Sequence, residues 1–351
     1  MVETQNQNPE EVTKRRLLEK ISRECGSLVR EALKDDSVIE IMLNPDGKLW
    51  VDRLGVGMID TGHTMDPIIA ESMLSTCASM IHSTFTYDKP VLEGEFPLDG
   101  SRFEAITYPV VPQVIFAIRK KAASVFTLEQ YAEAGIICPA SKISSRPPHI
   151  DEQSFLDGFS HPVDAIKAAI RLKNNLLVVG GTSSGKTTLA NGILHAMSEL
   201  CPNDRVIAIE DTVELQVKMK NTVLLRANEN VSMQSLLRAT MRLRPDRIVV
   251  GEVRGAETAT LLKSWNSGHP GGIATIHADS AMKGLHKMVE YAMEIQNPPP
   301  HEVVCRRVAE AVNLVLFLQK INDAPGRLVS EISKVVGFEN GKFILQPIKE
   351  K

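Results

Sequence analysis

Apolar residues recur at helical spacing from about Glu10 to Lys34, at Leu17, Ile21, Cys25, Leu28 and Ala32, which predicts one amphipathic helix. Two alternating runs, Val38–Leu43 and Lys48–Asp52, flank Asn44-Pro45-Asp46-Gly47 and read as a hairpin with strong turn chemistry. A second amphipathic helix is expected from Met65 to His82, through Ile69, Met73, Cys77 and Met80. Extended runs follow at Gly94–Leu98, Arg102–Tyr108 and Val114–Arg119, with a turn at Asp99-Gly100. Together these elements predict a small α+β domain.

The pattern changes after residues 138–150, which are rich in proline and serine and show no period. Such composition suits a linker, placed at 138–155 between domains at 1–137 and 156–351. Beyond it a short helix is expected over Pro162–Leu172 and a buried strand over Leu176–Val179. Leu189, Ile193, Met197 and Leu200 then form a helical stripe. Strand-like runs at Arg205–Ile209, Arg247–Gly251, Gly272–Ile276 and Val312–Leu318 alternate with helical ones. That alternation predicts an α/β domain whose mostly parallel sheet is covered on both faces. A terminal hairpin is expected from Val335–Phe338 and Lys342–Gln346 around Glu339-Asn340-Gly341.

Composition narrows the class without naming a function. The 351 residues leave room for two domains, and 43% hydrophobic with 24% charged content is ordinary for a soluble protein. A net charge of −3 gives no global basic field for nucleic acid or anionic lipid. The five cysteines are dispersed without a C-x-x-C pair, which argues against zinc or a disulfide framework and for a reducing cytosol. No apolar run approaches the roughly 18–20 residues of a membrane span, so no integral membrane segment is expected.

The candidate chemistry centres on Gly180-Gly181-Thr182-Ser183-Ser184-Gly185-Lys186-Thr187, followed by Thr188. It matches G-x-x-x-x-G-K-[ST] between a buried strand and a helix, the context in which that motif binds nucleotide phosphates. Glycines let successive N–H groups turn toward phosphate oxygens, and the helix N-terminus adds partial positive charge. Lys186 is expected to reach the β- and γ-phosphates of a nucleotide, and the Thr187 hydroxyl to hold Mg²⁺.

Two apolar strands end in carboxylates, at Glu210-Asp211 and at Glu252. Ligands bind beyond the carboxyl ends of strands in open α/β sheets, so both acids should face the nucleotide. Hydrolysis needs an acceptor for water and oxygen ligands for magnesium, and Glu210 and Glu252 could supply both. His269 and His277 bracket a glycine-rich turn and a strand; each reads either as a backbone-bonded structural histidine or as a γ-phosphate sensor. Arginines are concentrated at Arg238, Arg242, Arg244, Arg247 and Arg254, with Arg102 and Arg119 in the first half. An arginine presented to a phosphoryl transition state can raise the rate ~10³–10⁵-fold.

Four ordered motifs, residues 180–188, Ile209-Glu210-Asp211, residues 243–255 and residues 265–278, resemble those of the secretion traffic ATPases. Within that superfamily the chain resembles the TrbB-type conjugation ATPases of type IV secretion systems. Residues 40–47, 98–105 and 116–120 are similar to the family's amino-terminal domain, so the resemblance covers nearly the whole chain. It implies a PAS-like domain followed by a RecA-like P-loop ATPase domain, assembled as a homohexamer. It further implies a cytoplasmic motor, peripheral at the inner membrane, that docks on components of a secretion channel and acts on a DNA–protein substrate indirectly. The family pattern gives Lys186 and Thr187 to the phosphates and Mg²⁺, Glu252 and Glu210 to water activation and metal contact, and His269 and His277 to a histidine box. Arg102 and Arg119 are implied to reach the nucleotide from the first domain.

Three positions depart from the pattern: Ser183 where glycine is common, Ser267 for threonine, and Tyr108-Pro109 for Pro-Pro. Type II secretion or pilus ATPases are the neighbouring alternative, and a nucleotide-gated scaffold is an alternative of another class.

Overall fold

The computed structural model describes residues 9–121, 158–323 and 325–348. The chain divides into two compact units, residues 1–145 and 146–351. The linker expected over 138–155 lies outside the described residues.

In the first unit the single helix expected from Glu10 to Lys34 is two, α1 (Pro9–Glu24) and α2 (Gly26–Lys34). Gly26 has φ +72°, a left-handed conformation that a right-handed helix cannot carry, so the axis breaks there. The apolar stripe survives the break: Ile21, Cys25, Val29 and Ala32 are all buried. α3 (Pro67–Met80) starts where the Asp66 carboxylate accepts the Ile68 N–H at 2.8 Å, an N-cap followed by proline in the first turn.

Six strands form one antiparallel sheet in the order β3-β2-β1-β6-β5-β4. They are β1 (Val38–Leu43), β2 (Lys48–Arg53), β3 (Gly57–Thr64), β4 (Val91–Glu95), β5 (Arg102–Ile106) and β6 (Ile115–Arg119). One face, with Ile41, Leu43, Val51, Phe103, Phe116 and Ile118, joins Met73, Leu74 and Cys77 of α3 in the core. Gly94–Leu98, expected as extended, instead straddles the end of β4 and a turn in which Gly100 N–H donates to Phe96 O. β3 escaped the sequence reading because it is largely exposed and carries two glycines, leaving no apolar alternation to detect.

The second unit is the expected α/β layer structure. Its strands are β7 (Leu176–Gly180), β8 (Val206–Glu210), β9 (Thr222–Arg226), β10 (Arg247–Val250), β11 (Ile273–Ile276), β12 (Leu314–Lys320), β13 (Arg327–Glu339) and β14 (Lys342–Pro347). The order is β14-β13-β12-β7-β11-β10-β8-β9, with β12 through β9 parallel and β13 and β14 antiparallel at one edge. β7, β8, β10 and β11 are wholly buried, which explains their unbroken apolar runs.

Six helices accompany this sheet among the described residues: α4 (Pro162–Arg171), α5 (Lys186–Leu200), α6 (Met233–Thr240), α7 (Glu257–Trp265), α8 (Ala281–Ala292) and α9 (His301–Ala311). Because the central strands are parallel, the chain leaves β7, β8, β10 and β11 at one common edge. The short β9 went unread in sequence, and β13 begins eight residues before the expected Val335. In both cases exposed or half-exposed alternate positions weaken the apolar signal, and pairing with β8 or β12 supplies the order.

Candidate nucleotide site

The loop after β7 is shaped by steric necessity. A Cβ on Gly180 would lie 2.5 Å from Ser184 Oγ and 2.7 Å from the Leu318 carbonyl oxygen, so no larger residue fits. Gly185 has φ +98° and Ser183 has φ +58°. Ser183, the departure from the family glycine, therefore occupies a left-handed conformation that glycine would adopt without strain. Gly185 opens α5 without a side-chain cap, leaving the first N–H groups of the helix available to an anion.

These groups border a cavity of about 410 Å³, within the range of small-molecule sites. Lys186 has a buried stem, and its Nζ donates to Gly181 O at 3.1 Å while standing 3.2 Å from His277 Nε2. Burial lowers the lysine pKa, partly offset by Glu252. Burial likewise lowers the His277 pKa, against the pull of Glu252 and with the help of Lys186, Arg254 and Lys287, so the ring is held neutral.

Glu252 lies just past β10, with Oε1 3.0 Å from His277 Nε2. Its Oε2 accepts from Arg254 Nε at 2.9 Å and from the terminal nitrogen at 2.6 Å. Arg254 also bonds Asp211, so two carboxylates hold it, and the bond to Glu252 raises its pKa. Lys186, His277, Glu252, Arg254 and Asp211 thus form one polar chain along the cavity wall.

Glu210, the last residue of β8, borders the same cavity. Its Oε1 accepts the N–H groups of Glu214 and Leu215 at 2.9 and 2.8 Å, and the residue is only 4% exposed. Through that one oxygen the carboxylate ties down the 211–215 loop, whose Glu214 meets the phosphate loop. Thr187 Oγ1 donates to Glu214 Oε2 at 2.9 Å. Glu214 was missed in sequence; its only local signal is a carboxylate four residues beyond Glu210.

The two histidines are separated. His277 follows β11 at the cavity, whereas His269 precedes the strand, with Nδ1 3.2 Å from Pro245 O. The four residues of β11 alone span about 13 Å at strand rise. Within this unit His269 contacts a backbone carbonyl and does not border the cavity.

The clustered arginines also divide. Arg247 is fully buried, bonding Asp204 at 2.6 Å and the carbonyls of Gly271 and Ile170, so it braces the fold. Arg244 pairs with Asp246, and Arg238 borders a separate groove with Lys263 and Arg307. Arg327, unremarked in sequence, borders the nucleotide cavity. In the first unit Arg102 and Arg119 are directly opposite across β5 and β6, both exposed, with Glu40 opposite Arg119 on β1. Like charges so paired repel, and an anion would relieve them.

ATP and magnesium fit the donors present. The glycine cradle and open helix end suit phosphates, and Thr187, Glu214 and Glu252 offer the oxygen chemistry that Mg²⁺ takes together with substrate phosphates.

Residues 158–327 match the family described as Type II/IV secretion system protein. The chain is 39% identical over 331 residues to a probable conjugal transfer protein TrbB of Sinorhizobium fredii, covering 94% of this chain and 93% of that one. It is 37% identical to the conjugal transfer protein TrbB of Rhizobium radiobacter, with 93% of each covered. The crystal structure of the VirB11 ATPase from the Brucella suis type IV secretion system, in complex with sulphate, superposes with a TM-score of 0.82 at 25% identity, covering 92% of this chain and 96% of that chain. By sequence and by fold, the chain belongs to the TrbB family of conjugal transfer ATPases within the type II/IV secretion system proteins.

Proposed function

We propose that this chain hydrolyses Mg-ATP as a homohexameric motor for a type IV secretion or conjugation apparatus, working in the cytoplasm against inner-membrane channel components. The observation that carries the hydrolytic reading is the contact chain Lys186–His277–Glu252 beside the open N-terminus of α5. Among the described residues no helix is long and apolar enough to cross a membrane, which fits peripheral attachment.

In this reading the N–H groups around Gly185 bind the β-phosphate, and Lys186 exchanges Gly181 O and His277 for phosphate oxygens. Glu252 accepts a proton from the attacking water as its oxygen bonds to the γ-phosphorus and the bridging P–O bond breaks, leaving ADP and inorganic phosphate. Arg254 orients Glu252 by holding Oε2. Thr187, with Glu214 and Glu252, would hold Mg²⁺, which when bound neutralises charge on the phosphate oxygens. Glu210 positions the Glu214 loop.

Glu252→Gln in the full chain tests the reading. Magnesium-dependent phosphate release should fall ~10²–10⁴-fold with ATP binding retained, and conjugative transfer should stop. A variant that binds ATP without hydrolysing it and still supports transfer would leave a scaffold rather than a motor.

A further inference from the structure

We infer that Arg327 is a nucleotide-binding residue that grips the phosphates shared by ATP and ADP. The inference rests on the nucleotide-site reading above and adds a contact that the phosphate-loop motif does not contain.

Position comes first. β12 runs parallel to β7 with Leu318 opposite Gly180, so the end of β12 lies beside the start of the phosphate loop. The packing is close, because the Leu318 carbonyl already occupies the space a Gly180 side chain would need. β13 turns back from that edge after Gly326, whose φ is +80°, and Arg327 is its first residue. Its side chain then lies over Gly185: a Cβ built there would be 3.1 Å from Arg327 Cδ and 3.5 Å from a terminal guanidinium nitrogen. Gly185 thus admits both its own left-handed backbone and the arginine.

Electrostatics gives the second argument. Three cationic side chains border the cavity, Lys186, Arg254 and Arg327. Lys186 is engaged by Gly181 and His277, and Arg254 by two carboxylates. Among the described residues no carboxylate forms an ion pair with Arg327, which is exposed. Its cross-strand neighbour is Lys320, another cation, so the pair gains from an anion between the hairpin and the loop. The planar guanidinium suits two phosphate oxygens at once.

The position along the loop selects the phosphates. Lys186, His277 and Glu252 gather where the γ-phosphate reacts, whereas Gly185 begins the N–H cradle of the β-phosphate. Arg327 therefore serves ATP and ADP alike.

Calorimetric titration of the full chain with ATP and with ADP tests this, using wild type, Arg327→Ala, Arg327→Lys and Lys186→Ala. Arg327→Ala should weaken both nucleotides about tenfold or more, with an unchanged thermal midpoint because the side chain is exposed. Arg327→Lys should recover part of the loss, as a point charge without the fork. Unchanged ADP affinity in Arg327→Ala, alongside the loss in Lys186→Ala, would overturn this assignment while the nucleotide site stands. A loss confined to ATP would also overturn it, moving the contact to the γ-phosphate. Wild type that binds neither nucleotide would remove the site itself.

Discussion

The Thr187 hydroxyl donates a 2.9 Å hydrogen bond to Glu214 Oε2, tying the first turn of α5 to the loop beyond β8. The bond brings together the two oxygens proposed above to hold magnesium, one from the phosphate loop and one from a segment 27 residues later. Glu214→Ala should raise the magnesium concentration needed for half-maximal phosphate release about 10–100-fold. Thr187→Ala should act on the same quantity, and the double variant should lose less than the two combined, since both remove one unit. Independent, additive losses in a magnesium titration of all four proteins would show that the pair does not act together.

Ser183 and Gly185 lie in the same loop with positive φ, and replacement should move them in opposite directions. Ser183→Gly relieves a conformation costing ~1–2 kcal/mol for an L-residue, offset by glycine's greater freedom when unfolded, for a gain of up to about 1 kcal/mol. Gly185→Ala meets both an unfavourable φ and Arg327 Cδ, and strain of about 1–3 kcal/mol should lower nucleotide affinity. Urea unfolding for the first and titration with ADP for the second check them. Equal behaviour of the two variants would discount the backbone argument.

His277 links the site to pH. The folded site, chiefly through burial, holds its pKa below the value of about 6.5 for a free histidine. As pH falls below about 6.5 the unfolded chain takes up the proton first, so the contribution of this group to stability is lost on acidification. Between pH 7.5 and 5.5, without nucleotide, wild type should lose more thermal stability than His277→Asn. Parallel pH profiles would show that burial and the neighbouring cations do not oppose the imidazolium.

Arg247 braces the fold, unlike Arg254 and Arg327 at the cavity. Its guanidinium is fully buried and bonds Asp204, Gly271 and Ile170. Arg247→Ala should destabilise the protein by about 3 kcal/mol, by stranding the carbonyls and removing the main partner of Asp204. Denaturant midpoints measure it, and a change below 1 kcal/mol by that ~3 kcal/mol yardstick would mean water replaces the guanidinium freely.

Legibility followed the range of the interaction. β7, β8, β10 and β11 were plain because a strand buried on both faces must be apolar at every position. β3 and β9 were obscure because their order comes from neighbouring strands rather than from their own alternation. The break at Gly26 was hidden for a related reason, since the apolar stripe continues across it while φ changes sign.

What the residues alone determined is the phosphate loop and its setting, because the glycines, the lysine and the following helix act within a few residues of each other. The gathering of Glu252 and His277 near Lys186 followed from strand polarity, which the alternating apolar runs already implied. Tertiary structure alone decided that His269 stays at the far end of β11, that Glu210 supports a loop while Glu214 reaches Thr187, and that Arg327 returns over Gly185. Each of those outcomes depends on which strand lies beside which, and side-chain directions at such junctions are set by contacts between segments distant in the chain.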